Sequence, residues 1–405
     1  MRNANQNYSS MDDSGCLSRQ HIPALDGLRG LAILMVMSHH FNIFAQGNSV
    51  ERLLTATFQT GWAGVDLFFV LSGYLITGIL LDSRNHARYF RNFYIRRSLR
   101  ILPLYYSVVL LTFYILPQIS GPLARTLSHT EGSIGWYIFY LSNVAMSHGN
   151  HFGYGMLNVT WSLAVEEQFY LMWPLVVYAL PQRRLMSFCL VLTIVSPLLR
   201  VWLVSQSFSW VTVYTLAFCR LDALAIGALV AIAMRSEFPI HRVENIARGV
   251  LVLSVLGLML TVTMNQSTHP ASSPWMRTLG FSSFAGLFGA VLILILSPSR
   301  WRPVCSGLSS PLLMIFGKYS YGLYLIHVPV RNVLVHYVPE LSSNPSLLSQ
   351  IAFWAISTSL SLMMAIAVWH LIERPFLNLK EYFPCASSAG TSQHDPQYKV
   401  QTYQI

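Results

Sequence analysis

Charge is scarce in this chain. Only 10% of its 405 residues are Asp, Glu, Lys or Arg, against roughly 25% in an ordinary soluble domain, which excludes a water-exposed globular surface over most of its length. Cysteine is scarce too. The five present, Cys16, Cys189, Cys219, Cys305 and Cys385, are widely scattered with no C-x-x-C spacing, so neither a disulfide framework nor a thiolate metal site is supported. No P-loop and no dinucleotide fingerprint occurs, which argues against nucleoside triphosphate hydrolysis. Ser72 does not sit in a G-x-S-x-G turn, which argues against a hydrolase nucleophile elbow. Residues 1–24 are polar and lack the apolar core of a secretory leader, so the first apolar stretch is expected to remain as a permanent helix. No repeat of about 20 to 50 residues stands out, which counts against a solenoid and against a duplicated transporter.

What the chain has is apolar sequence, 53% of its residues, arranged in recurring stretches of about 20 that each suffice to cross the roughly 30 Å hydrocarbon layer as a helix. The expected fold class is all-α: a polytopic transmembrane bundle with spans near 27–46, 62–81, 100–118, 158–180, 185–205, 210–234, 247–264, 277–297, 311–332 and 351–371. The formal net charge of +10 would suit a nucleic-acid partner on a soluble face, but the arginines lie mainly in short loops between apolar runs, the positive-inside pattern, and no nucleic acid is expected. Arg84, Arg88, Arg91, Arg96, Arg97 and Arg100 mark their loop as cytoplasmic, and with it both termini. That orientation holds only if the short stretch "IGWYIFYLSNVAM" (134–146) does not cross, so it is read as a re-entrant or interfacial segment on the outer side. The division that follows is a polar cytoplasmic segment 1–24, a membrane domain 25–376 and a cytoplasmic, partly disordered tail 377–405.

Ionisable groups at membrane depth are costly, about 2.5–3.5 kcal/mol each on insertion scales, so each calls for a reason. In "LDGLRGLAILMVMSHHF" (25–41), Arg29 and His40 are eleven residues apart, almost three whole turns, which puts both on one stripe roughly 16 Å apart along the axis. Asp26, three residues before Arg29, shares that side and is expected to pair with it or cap the helix. His39 points about 100° away, which selects His40 as the candidate base or acyl carrier. In "NVTWSLAVEEQFYLMWP" (158–174), Asn158, Ser162, Glu166 and Tyr170 form a polar row that is expected to bring Glu166 level with His40 as an orienting carboxylate. In "YSYGLYLIHVPVR" (319–331), Ser320, Tyr324, His327 and Arg331 share a face. Any one row is explained by helix–helix hydrogen bonding; three at a matched level favour a polar chamber. Tyr74, Trp161, Arg220, Tyr324 and His327 are the substrate-side candidates. Arg220 lies mid-span with Asp222 facing elsewhere, so its partner must come from another helix. In "GWAGVDLFFVLSGYLITGIL" (61–80), Ser72 and Gly73 read as a close-packing pair. In "YIRRSLRILPLYY" (94–106), Arg97 and Arg100 share a helical face; they serve as a topology signal or, with Arg29, as a clamp for phosphate oxygens.

These pieces, in this order, resemble the acyltransferase-3 family of integral membrane acyltransferases, from about His21 to Pro375. The likeness is carried by the basic residue, ten positions and histidine of Arg29 and His40 within "LDGLRGLAIL", by "DLFFVLSGYLI", by the R-x-x-R of Arg97 and Arg100, by "WSLAVEEQFY" and by "YSYGLYLIH". The doubled histidine is a small departure. The resemblance implies transfer of an acyl group, usually acetyl, from cytoplasmic acyl-coenzyme A to a hydroxyl of a sugar, cell-envelope glycan or lipid-linked acceptor. It also implies ten spans and an essential first-span histidine; no metal is expected, and the expected location is a bacterial inner (plasma) membrane. Some members carry a further soluble SGNH hydrolase-like domain after the membrane part; the sequence given ends soon after its last span, so the expectation includes either transfer by this chain alone or hand-over to a separate envelope transferase. The competing expectation is a proton-coupled secondary transporter using the same buried His and Glu.

Overall fold

The computed structural model describes residues 22–42, 49–153, 155–265, 267, 269–297, 301–343 and 346–383. The expected polar segment up to residue 21, the end of the first span beyond residue 42 and the tail from residue 384 lie outside the described residues. Every regular element among the described residues is a helix. That is the outcome expected of apolar chain in lipid, where a backbone must satisfy its own N–H and C=O groups.

Among the described residues, six helices are long and apolar enough to cross a membrane: Glu51–Ser83, Tyr89–Gln118, Gln182–Ser205, Ile240–Met264, Met276–Leu296 and Leu347–Tyr382. They contain or closely match six of the ten expected spans. The other four differ in instructive ways. The first helix, Pro23–His40, stops at the second histidine. Thr160–Ala179 is continuous but carries the polar row. The span expected at 210–234 is broken into Trp210–Thr215, a turn at Ala217–Cys219 and Leu221–Ala233. The span expected at 311–332 is broken into Pro311–Lys318 and Ser320–Tyr337. The stretch 134–146 forms two short helices, Ile134–Ile138 and Ser142–Gly149, neither long enough to cross. Between them Tyr140 adopts a left-handed backbone at φ 53°. Its carbonyl accepts from Gln168 Nε2 at 2.9 Å, and the Tyr105 and Tyr106 hydroxyls donate to the carbonyls of Tyr137 and Ile138 at 2.9 and 3.0 Å.

Five helices contribute residues to the site and a sixth, α5, packs against one of them; they are numbered here α1 (Pro23–His40), α2 (Gly64–Ser83), α3 (Tyr89–Leu110), α4 (Thr160–Ala179), α5 (Leu221–Ala233) and α6 (Ser320–Tyr337). Around them, Gln182–Ser205, Ile240–Asn265 and Leu347–Val368 leave large apolar side chains such as Ile194, Leu198, Leu253, Met259 and Met363 exposed. An exposed apolar wall of this kind is matched to lipid rather than water. At the centre α2 and α5 lie almost in backbone contact. A Cβ at Gly73 would collide with the Leu224 carbonyl, and one at Gly227 with the Val70 carbonyl, the close approach that small residues permit between membrane helices.

The break before α5 has a visible reason. Arg220, 1% exposed, sits at the helix start and donates from Nη2 to Asp66 Oδ1 on α2 at 2.7 Å. The carbonyl of Cys219, which a broken helix would leave without a donor, accepts from Arg200 Nη1. Arg200 also meets Asp222 Oδ2 at 2.7 Å, and Ser282 Oγ donates to the same oxygen at 2.7 Å.

Candidate active site

Among the described residues, two adjoining cavities lie among these helices and the segments beside them. The first, about 90 Å³, is lined by Arg29 from α1, Ser72 from α2, Arg97 and Arg100 from α3, Ser162, Glu166 and Tyr170 from α4, and Ser320, Tyr321 and Tyr324 from α6. Its apolar side is made by Val65, Phe68, Phe69, Leu71, Leu75, Ile101 and Leu163. Three guanidinium groups thus converge on a space whose lining holds one acid, Glu166. That carboxylate accepts from Ser72 Oγ at 2.6 Å, and Ser72 in turn accepts from Tyr170 Oη at 3.0 Å. Asp26 stands 3.8 Å from Arg29 at the rim. The Arg97 guanidinium lies over the Tyr170 ring, 5.2 Å from its centroid, within cation–π range. Cations gathered in excess of their acids invite an anionic ligand, and guanidinium forks match phosphate oxygens in pairs.

Sequence reasoning missed one contributor. Lys380 stands within electrostatic range of Arg29, Arg96, Arg97 and Arg100. Arg96 Nη1 donates to the carbonyls of Lys380 and Phe383 at 3.1 and 2.8 Å, stapling that segment beneath the arginine end. No spacing rule links a lysine so far downstream to the R-x-x-R helix.

The second cavity, about 210 Å³, is lined by His39 and His40, Trp62, Phe152, Asn158, Val159, Trp161, Trp210, Tyr214 and His269, with Val36, Val65, Pro270 and Tyr324. It is mostly aromatic, and its side-chain polar groups are three imidazoles, three tryptophan indole N–H groups, the hydroxyls of Tyr214 and Tyr324 and the Asn158 amide. His39 Nδ1 faces the Gln59 carbonyl at 3.0 Å, and the ring stacks on His269 at 5.7 Å. Burial holds the His269 imidazole below its ordinary pKa.

The tautomer of His40 follows from its partners. His327 Nδ1 is 2.9 Å from the Leu323 carbonyl; a carbonyl only accepts, so that nitrogen bears the proton and His327 Nε2 is the acceptor. His40 Nδ1 lies 3.2 Å from His327 Nε2 and 3.0 Å from the Val36 carbonyl. Both are acceptors, so the His40 proton sits on Nδ1, an assignment made from the hydrogen-bond network. Among the described residues the lone pair of His40 Nε2 is left unengaged, in the form required of a base or nucleophile.

The structure brings together Arg29, Arg97, Arg100 and Glu166 in one cavity, and His40 with Trp161 in the other; His327 holds the His40 ring and Tyr324 borders both. It does not bring Glu166 to His40. Among the described residues the ring partners of His40 are Val36 and His327, while Glu166 is committed to Ser72. The i+4 row holds from Ser162 to Tyr170, all of which line the arginine cavity, whereas Asn158 precedes the helix and lines the other cavity. Arg220 and Tyr74 line neither cavity. Arg220 is enclosed by the Asp66 carboxylate and the rings of Phe281 at 4.1 Å and Tyr214 at 5.1 Å, and Tyr74 is packed in the core. No group of three or more His, Cys, Asp or Glu among the described residues is arranged to hold a metal ion.

The fold and these paired cavities define an integral membrane protein with an internal site. The chain belongs to the acyltransferase-3 family: the family's acyltransferase domain matches residues 22–371. Among similar proteins, the peptidoglycan O-acetyltransferase OatA of Listeria monocytogenes is 31% identical over 339 residues, covering 77% of this chain and 50% of the relative. A Bacillus subtilis protein provisionally named a peptidoglycan O-acetyltransferase is 31% identical over 385 residues, covering 88% and 55%. A Staphylococcus aureus (strain COL) protein provisionally named an O-acetyltransferase is 28% identical over 380 residues, covering 88% and 57%. The chain therefore spans about half the length of the curated relatives it matches. No solved structure matches it.

Proposed function

We propose that this chain is a membrane O-acyltransferase that moves an acyl group, acetyl foremost, from acyl-coenzyme A to a hydroxyl of a sugar, cell-envelope glycan or lipid-linked acceptor. The observation that carries this reading is the adjoining arrangement, among the described residues, of an arginine cavity suited to phosphates and a histidine cavity containing an unengaged imidazole nitrogen. Arg29, Arg97 and Arg100, with Lys380 beside them, would grip the phosphates of the donor. The apolar wall of the same cavity suits the arm that carries the thioester. In the histidine cavity the acceptor hydroxyl would give its proton to His40 Nε2 as its oxygen attacks the thioester carbonyl. The carbon–sulfur bond then breaks, and the proton passes to the departing thiolate. His327 holds the ring and its tautomer. The same lone pair would serve if His40 carried the acyl group, and rapid quench with labelled acetyl-coenzyme A separates the two.

Family membership and the names of the relatives support acetyl transfer to an envelope glycan over a transporter. The basic loops support an orientation with the arginine end toward the cytoplasm of a bacterial inner membrane. A separate envelope transferase that completes the transfer belongs to this proposal as a candidate partner.

The test is thiol release. Membranes holding the protein liberate free coenzyme A from acetyl-coenzyme A when acceptor-bearing envelope material is supplied, and His40→Ala lowers that release by at least about 100-fold, the low end of what a general base contributes. Full release by the His40→Ala protein overturns the role of the imidazole.

A further inference from the structure

Two residues, Val65 and Tyr324, line both cavities. The two spaces are therefore separated there by the thickness of single side chains, and one of those side chains is a latched aromatic ring. Tyr324 Oη lies 2.5 Å from Ser162 Oγ and donates to the Val159 carbonyl at 3.2 Å. Ser162 lines the arginine cavity and Val159 the histidine cavity, so one hydroxyl is tied to a wall of each. The ring is flanked edge-on by Phe68 at 6.2 Å and at a tilt by His327 at 6.0 Å, and His327 is the residue that holds His40.

We infer that Tyr324 is a gate between a donor chamber and an acceptor chamber, closed by its hydrogen bonds to Ser162 and Val159 and opened when the side chain swings away. The inference rests on the acyl-transfer reading given above and adds to it a means of keeping the thioester from water. A thioester standing next to a basic imidazole in a chamber that admits solvent would be hydrolysed: water would add its oxygen to the acyl carbon, the carbon–sulfur bond would break, and free carboxylic acid and coenzyme A thiol would leave. A closed ring denies water that path, a recognised use of moving active-site elements. The latch is built to release. Ser162 Oγ already has the Val159 carbonyl within 3.3 Å, so the Ser162 hydroxyl keeps an acceptor when Tyr324 departs. Val65, short and branched, forms the fixed part of the partition. Tyr324 acts on access, and His40 on the reacting atoms.

Two measurements test the gate. In the first, purified protein in lipid nanodiscs is given acetyl-coenzyme A with water as the only acceptor. Tyr324→Ala should raise thiol release about tenfold over the parent, with Tyr324→Phe, which keeps the ring and loses the latch, in between; Tyr324→Ala combined with His40→Ala should return to the parent's level. In the second, Leu163→Cys places a thiol on the arginine-cavity wall, and a membrane-impermeant sulfonated thiosulfonate is added to sealed vesicles from the histidine side. Labelling above the parent's own cysteine background should be low with Tyr324 present and rise at least about fivefold with Tyr324→Ala, a readout independent of catalysis. Equal labelling with and without the ring, or thiol release unchanged by Tyr324→Ala in protein that still binds acetyl-coenzyme A, overturns the gate and leaves the acyl-transfer reading standing. Failure of parent and variants alike to bind or consume acetyl-coenzyme A overturns that reading, and with it the gate's role in guarding a thioester.

Discussion

His39 and His40 are chemically identical neighbours, and only their partners tell them apart. Helical phase separates the rings, and the structure shows them committed to different carbonyls, Gln59 and Val36. Phase alone did not show that both rings reach one cavity, or that His327 presents its Nε2 to His40. If His327 fixes the His40 tautomer, His327→Phe should lower kcat about tenfold with KM for acetyl-coenzyme A nearly unchanged, because the loss is of orientation and not of donor binding. His327→Gln, whose side-chain oxygen can accept from His40 Nδ1, should recover part of the rate. Steady-state kinetics on the two variants check this. In the arginine cavity, Arg97→Gln should weaken acetyl-coenzyme A binding about tenfold at low salt and by less at high salt, since screening already weakens the partner charges. Calorimetry at two ionic strengths reads the difference, and an affinity unchanged at both would remove Arg97 from the donor site.

At the scale of elements, the pairing of α2 with α5 decides where the site's walls stand. Gly73 and Gly227 let the two backbones meet, and the Asp66–Arg220 pair joins the same helices at 2.7 Å. Gly73→Leu should therefore prevent the helices from seating, with a marked loss of monodisperse protein on detergent extraction, since the obstruction is a backbone carbonyl that cannot swing aside. The ion pair predicts an asymmetry. Asp66→Asn strands a buried guanidinium and should cost about 3–5 kcal/mol, whereas replacing both partners by apolar residues should cost far less. Thermal unfolding in detergent checks the order, and equal losses would refute it. The sequence required a partner for Arg220 from another helix, but its identity was illegible, because Asp66 lies 154 residues away and nothing in either segment encodes their relative depth.

The molecule as a whole carries its basic loops in the positive-inside pattern, from which an orientation is proposed. A cysteine introduced at Arg88 should label from the cytoplasmic side and one at Gly149 from the opposite side, and labelling of both from one side would overturn the proposed orientation. Much of the architecture was legible before any coordinates: long apolar runs specify helices because lipid offers the backbone no other partner, and the family signature is a set of short local strings whose order survives in one dimension. The polar breaks were not legible. The chain stops being helical at Leu216 and at Tyr319, where no proline or run of glycines marks the sequence; at the first of these the side chain of Arg220 and the carbonyl of Cys219 answer to residues on other helices. Local sequence thus determined the class of protein, the apolar exterior and the stripe that joins Arg29 to His40, because these depend on hydropathy and helical period. Only the tertiary structure decided that Glu166 turns to Ser72, that His327 holds His40 and that Tyr324 stands between two chambers, because each is a choice among hydrogen-bond partners set by how distant helices are rotated and how deep they sit.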